Sequence, residues 1–94
     1  MEVEVNRGYA RPATVARVDG GQAPTSDLYL ARLPEGPIVV LGGPAAALYR
    51  AAETGEDPVP ALAVALEVED EEIDREGVED LLAEWVGQGL LSGG

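Results

Sequence analysis

The stretch Asp27-Leu28-Tyr29-Leu30-Ala31-Arg32-Leu33-Pro34-Glu35-Gly36-Pro37-Ile38-Val39-Val40-Leu41 decides the fold. Its first half is rich in residues that fit a pleated, half-buried surface, which predicts a strand over residues 27–33. Pro34-Glu35-Gly36 supplies a turn, because proline presets one backbone dihedral and glycine permits the next. Ile38-Val39-Val40-Leu41 is an apolar run too short for a helix, so residues 37–41 complete a hairpin with residues 27–33.

Upstream, Val15, Ala16 and Val18 around Arg17 predict another strand over residues 14–19, ended by Gly20-Gly21. Residues 20–26 are loop by composition, a connection or wing. Residues 1–13 form an N-terminal segment in which Val3 and Val5 alternate with Glu2, Glu4 and Asn6. That pattern fits an edge strand and a flexible tail equally.

Downstream, Gly42-Gly43 breaks the strand and Pro44 suits a first helical position, where its missing N–H has no partner to lose. A helix follows over residues 45–53, with Ala45, Leu48, Ala52 and Tyr49 on its apolar stripe, and Thr54-Gly55 ends it. A second helix covers residues 58–66, its two prolines confined to the first turn. The strongest periodicity comes last, over residues 71–89, where Ile73, Val78, Leu81, Leu82 and Trp85 recur at three- and four-residue spacings. Asp70, Glu71 and Glu72 complement the positive start of this helix, and Gly87 and Gly89 mark its end. Leu90 and Leu91 are expected to fold back onto the core, with residues 92–94 as a flexible tail. The expected architecture is α+β and winged helix-turn-helix-like, a three-stranded antiparallel sheet followed by three helices in one domain over residues 14–91.

Ninety-four residues suffice for one core only. With 46% hydrophobic but only 4% aromatic residues, that core rests on Leu, Val, Ile and Ala. The chain has neither cysteine nor histidine. Disulfides, thiolate metal sites, the commonest zinc ligands and the usual nucleophile–base pairs are thereby removed, so a non-enzymatic protein without a cofactor is expected. A net charge of −12, with arginine as the sole cation, repels phosphate backbones and anionic membrane surfaces, which points to no nucleic acid and no membrane as partners. The start of the chain lacks the basic and apolar regions of a signal peptide, and the expected location is cytoplasmic. The acids at residues 67–72 lack the spacing of a calcium loop, and Gly42-Gly43 lacks the frame of a phosphate loop, so a turn explains the glycines and no metal site is expected.

Three blocks then stand together: Arg32 to Leu41 as hairpin and strand, Gly43-Pro44-Ala45-Ala46-Ala47-Leu48-Tyr49 as a helix opening, and Val78 to Leu91 as an amphipathic helix closing in Gly89-Leu90-Leu91. In their order and spacing the chain resembles the PqqD-like family, the small peptide chaperones also called RiPP recognition elements. The likeness spans residues 27–91. It departs from many members in its Gly- and Pro-containing stretch over residues 20–26 and in its longer N-terminal segment.

The resemblance implies a domain of natural product biosynthesis that binds the leader segment of a ribosomally synthesised precursor peptide and presents it to a peptide-modifying enzyme. It implies that the leader adds as a strand beside the third strand, in the cleft facing the third helix. Carried onto this sequence, the peptide-binding residues are Ile38, Val39, Val40 and Leu41 on the strand, with Val78, Leu81, Leu82 and Trp85 as the apolar wall. Asp74 and Glu79 would attract basic residues of a leader. The plainer alternative is that the apolar helix residues are core and the acids a solvated face. Two other functions compete. One is a winged helix-turn-helix regulator, which Asp74, Glu76, Glu79, Asp80 and Glu84 against Arg75 alone make electrostatically unfavourable. The other is a protein–protein adaptor or homodimer that uses the same open strand edge.

Overall fold

The computed structural model describes residues 9–23 and 25–93. The expectations for residues 1–8 lie outside the described residues. Three strands form one antiparallel sheet: β2 (Val15–Asp19), β3 (Leu28–Arg32) and β4 (Ile38–Leu41), in the order β2-β3-β4. Leu30 sits opposite Arg17 on one side and Val39 on the other. The helices α1 (Pro44–Glu53), α2 (Pro58–Leu66) and α3 (Arg75–Gly87) follow. The chain is thus α+β, a three-stranded antiparallel sheet followed by three helices.

Alternation sets which sheet face is covered. Leu28 and Leu30 are completely buried, while Tyr29 between them is exposed. Val15, Val39 and Leu41 share the buried face and meet Leu48, Tyr49, Ala52, Val59, Val78, Leu82 and Trp85 from the helices. Burying a leucine side chain contributes roughly 1.5–3 kcal/mol, so Leu28 and Leu30 anchor the hairpin to the helices. In α1 the buried Ala46, Ala47, Ala51 and Ala52 present little bulk, which lets this helix sit close to its neighbours.

The helix ends follow local chemistry. The Asp57 carboxylate accepts a hydrogen bond from the Val59 N–H at 3.1 Å, capping α2 over Pro58. Residues 71–89 read as one helix in the sequence, and here the structure differs. Asp70–Glu72 form a separate 3-10 turn, Ile73 and Asp74 are extended, and α3 starts only at Arg75. The Glu72 carboxylate accepts from the Glu69 N–H at 3.1 Å, which closes the first turn on itself. Ile73 keeps its burial from this extended link and not from a helical stripe.

At the other end, Gly89 adopts φ +80°, and the Leu90 N–H donates to the Trp85 carbonyl at 2.9 Å. Leu90 and Leu91 are both buried, as expected from the sequence. The tail differs from expectation: Ser92–Gly93 form a short strand, β5, antiparallel to β1 (Tyr9–Ala10). The Ser92 hydroxyl donates to the Ala10 carbonyl at 3.1 Å and secures the pair.

Candidate functional site: an open sheet edge beside a cleft

In an antiparallel strand the N–H and C=O of one residue point to the same side, and successive residues alternate sides. The Gly20 N–H donates to the Asp27 carbonyl at 2.7 Å and the Leu33 N–H to the Thr14 carbonyl at 2.7 Å. Residues 27, 29, 31 and 33 therefore bond towards β2, and Leu28 and Leu30 bond towards β4. By the register, Leu41 and Val39 are their partners. Ile38 and Val40 consequently direct their N–H and C=O groups away from the sheet. No hydrogen bond reaches these groups among the described residues.

The opposite edge is guarded. On β2 the outward residues are Val15, Arg17 and Asp19. The Val15 N–H donates to the Pro12 carbonyl at 3.0 Å, and Arg11 Nη1 donates to the Val15 carbonyl at 2.6 Å. Arg17 and Asp19 are joined by an ion pair at 2.6 Å, and charge on an edge discourages further pairing. Among the described residues, the β2 rim is thus capped at Val15 and charged at Arg17 and Asp19, while nothing bonds the outward groups of the β4 rim.

Beside the open rim lies a cleft of about 330 Å³, lined by Arg32, Pro37, Val39, Gly87, Gln88 and Leu90. Tyr49 is tied to Leu90, one of the cleft's lining residues. Its hydroxyl donates to the Leu90 carbonyl at 2.6 Å, and its ring meets Trp85 edge-on with centroids 5.5 Å apart. Burial in this apolar setting disfavours the phenolate and raises the Tyr49 pKa to about 12, with the Glu53 carboxylate adding to the effect. Glu53 itself is raised by burial, against the lowering influence of Arg17 and Arg11, which hold it at 3.2 and 3.6 Å. These groups tie α1 to β2 and stand away from the cleft.

The nine residues predicted from sequence fall into distinct places. Ile38 and Val40 are 70% and 53% exposed and lie on the outer sheet face, away from the helices. Val39 and Leu41 point inward and pack against the core, with Val39 also lining the cleft. Val78, Leu82 and Trp85 are only 7%, 2% and 4% exposed, so in this structure they belong to the core beneath the cleft and do not line it. Leu81 is partly buried against that core. Asp74 is an exposed residue at the start of α3, the end opposite Gly87 and Gln88. The cleft wall is therefore the last turn of α3 and the Gly89-Leu90 turn. Arg32, Pro37, Gly87, Gln88 and Leu90 were not among the predicted site residues. For Arg32 the available signal was its even spacing, two residues from Leu30 and four from Leu28, which puts it on their side of the sheet.

The outer face adds a second feature. Val18, Tyr29 and Val40 align across the three strands, as do Ala16, Ala31 and Ile38. These six residues make an apolar sheet face that no helix covers among the described residues, and four of them are substantially exposed. Among the described residues, no helix is long and apolar enough to cross a membrane. No protein-family model matches the chain, and neither a curated protein nor a solved structure matches it.

Proposed function

We propose that this domain binds an extended peptide by strand addition at β4, and that the peptide is the leader segment of a ribosomally synthesised precursor, held for a peptide-modifying enzyme. The observation that carries the reading is the contrast between the two rims. Among the described residues, the outward donors and acceptors of Ile38 and Val40 are unbonded beside a cleft, while on the opposite edge Pro12 and Arg11 cap Val15 and the Arg17–Asp19 pair adds charge. A guest strand satisfies the open groups through its own main chain, and its alternate side chains enter the cleft. The family resemblance in residues 27–91 points to the same strand. Val78, Leu82 and Trp85 support the site by fixing α3 on the core, and Leu81 and Val86 flank it from partly buried positions. The exposed acids Asp74, Glu76, Glu79, Asp80 and Glu84 leave α3 unsuited to a phosphate backbone.

The test is a titration of isotopically labelled protein with the short peptide encoded beside it, followed by amide shifts. Micromolar or tighter binding is expected, about −8 kcal/mol. Shifts should gather at residues 37–41 and 87–90, and shifts confined to α2 or to the Arg17–Glu53 region refute the site. A second reading, self-pairing at the same rim, is favoured by the apolar row Val18, Tyr29 and Val40. Sedimentation velocity with and without peptide separates the two, since a guest on the edge dissolves a self-paired dimer.

A further inference from the structure

The chain has six arginines, and all four of the others among the described residues are in ion pairs: Arg11 with Glu53, Arg17 with Asp19 and Glu53, Arg50 with Asp19, and Arg75 with Asp57. Arg32 is different. It makes no side-chain hydrogen bond or ion pair among the described residues, in a protein with eighteen acids. It also lines the cleft beside the open rim. Its aliphatic stem and guanidinium lie across Gly89, where a Cβ would stand 3.1 Å from Cδ and 3.1 Å from Nη1. The left-handed glycine thus leaves the space that the side chain occupies. A guanidinium with no partner among the described residues, at the mouth of an apolar cleft, suits a carboxylate, which it binds with two parallel N–H donors.

The charge around it sharpens the point. Ten of the chain's acids lie in residues 67–84, whereas residues 28–43 contain only Arg32 and Glu35. A guest on β4 therefore meets a nearly neutral strand with one cation at its Pro37 end. Arg32 stands on β3 beside Pro37, and a guest strand lies two strand spacings from β3, about 9.6 Å. An arginine and a glutamate side chain together span that gap. Guest residues that pair with Ile38 and Val40 turn their side chains to the outer face, so those opposite Pro37 and Val39 face the cleft.

We propose that Arg32 reads a side-chain carboxylate of the guest peptide, so that the recognised segment carries Asp or Glu opposite Pro37 and an apolar residue two positions away, opposite Val39. This rests on strand addition at β4. Acid recognition in a −12 protein is selective because the rest of the surface repels the same group.

The experiment is selection of phage-displayed random dodecapeptides against the full chain, run in parallel on wild type, Arg32→Glu and Val40→Pro. Wild type is expected to enrich Asp or Glu two positions from an apolar residue. Arg32→Glu should exchange that acid for Lys or Arg at the same position, and the two peptide sets should each bind their own partner at least tenfold more tightly than the other. Arg32→Gln, which keeps the stem and loses the charge, should bind both sets within threefold of each other; circular dichroism confirms folding of every variant. Peptides that need an intact Val40 yet show no acid preference, or whose preference survives Arg32→Glu, overturn the role of Arg32 and leave strand addition standing. A wild-type selection whose peptides are indifferent to Val40→Pro removes the strand site and this proposal with it. Preference for a free C-terminal carboxylate over an internal acid, shown by loss on C-terminal amidation, also refutes it.

Discussion

Substituting Tyr49 by Phe removes a single oxygen, and its effect should reverse sign with pH. Tyr49 is 0% exposed, and its hydroxyl is the donor that satisfies the Leu90 carbonyl at 2.6 Å. Leaving that carbonyl unpartnered costs about 1.5 kcal/mol near neutrality, which lowers the melting temperature of a domain this size by roughly 6–12 °C. In alkali the balance changes. The phenol titrates near 10 when exposed and at about 12 in the fold, so the unfolded chain loses its proton first. Because the folded-state pKa is the higher one, the phenol's contribution to stability is complete below about pH 10 and is lost as pH rises towards 12. Two pH units correspond to about 2.7 kcal/mol, and full burial leaves little solvent screening to reduce it. The advantage of wild type over Tyr49→Phe should therefore vanish near about pH 11 and become a deficit of about 1 kcal/mol above pH 12. Urea unfolding followed by far-ultraviolet circular dichroism, repeated from about pH 8 to pH 12, measures the gap directly. A gap that stays constant across that range would refute both the burial of the hydroxyl and its bond to Leu90.

Other expectations are equally direct. Val40→Pro deletes an N–H that the sheet does not use and should leave folding nearly intact while weakening peptide binding about tenfold; Val39→Pro deletes one bonded to β3 and should destabilise the domain by about 3 kcal/mol in denaturant melts. Leu30→Ala empties a fully buried site and should cost about 2–5 kcal/mol by the same assay. Glu53 is raised by burial above its ordinary 4.5, so its contribution favours the fold below that value and is lost as pH climbs through the window above it. Glu53→Gln should flatten the fall in stability that wild type shows over this window, and an unchanged slope argues against the assignment.

Much of the architecture was legible in the sequence because short-range signals agreed. The Pro34-Glu35-Gly36 turn between two strand-forming runs places β3 and β4 to within a residue of their observed ends. Pro44 and Pro58 mark the first residues of α1 and α2. The start of α3 was hidden because Ile73 fits a helical stripe and an extended anchor equally well, and the deciding bond between Glu72 and Glu69 is a side-chain choice. The β1–β5 pair joins two residues at each end of the chain, too few to create a pattern. At the site, the resemblance pointed to β4 and placed the wall on Val78, Leu81, Leu82 and Trp85; helical periodicity reports an apolar face without saying what lies above it, and Val78, Leu82 and Trp85 pack in the core. For Arg32 the strand alternation gives its side of the sheet and no more. That it has no partner among the described residues becomes visible only when the acids around it have positions.

The guarded rim at Pro12 and Arg11 has a consequence for stoichiometry. A sheet open on both sides can stack head to tail without limit, each copy receiving one neighbour and offering a site to the next. Here, among the described residues, the β2 side is capped at Val15 and charged beyond it. If a strand adds at β4 as proposed, the Val15 cap and the Arg17–Asp19 charges oppose a further addition at β2, which favours one ligand per chain or a closed two-fold pair over a fibre joining β4 of each copy to β2 of the next.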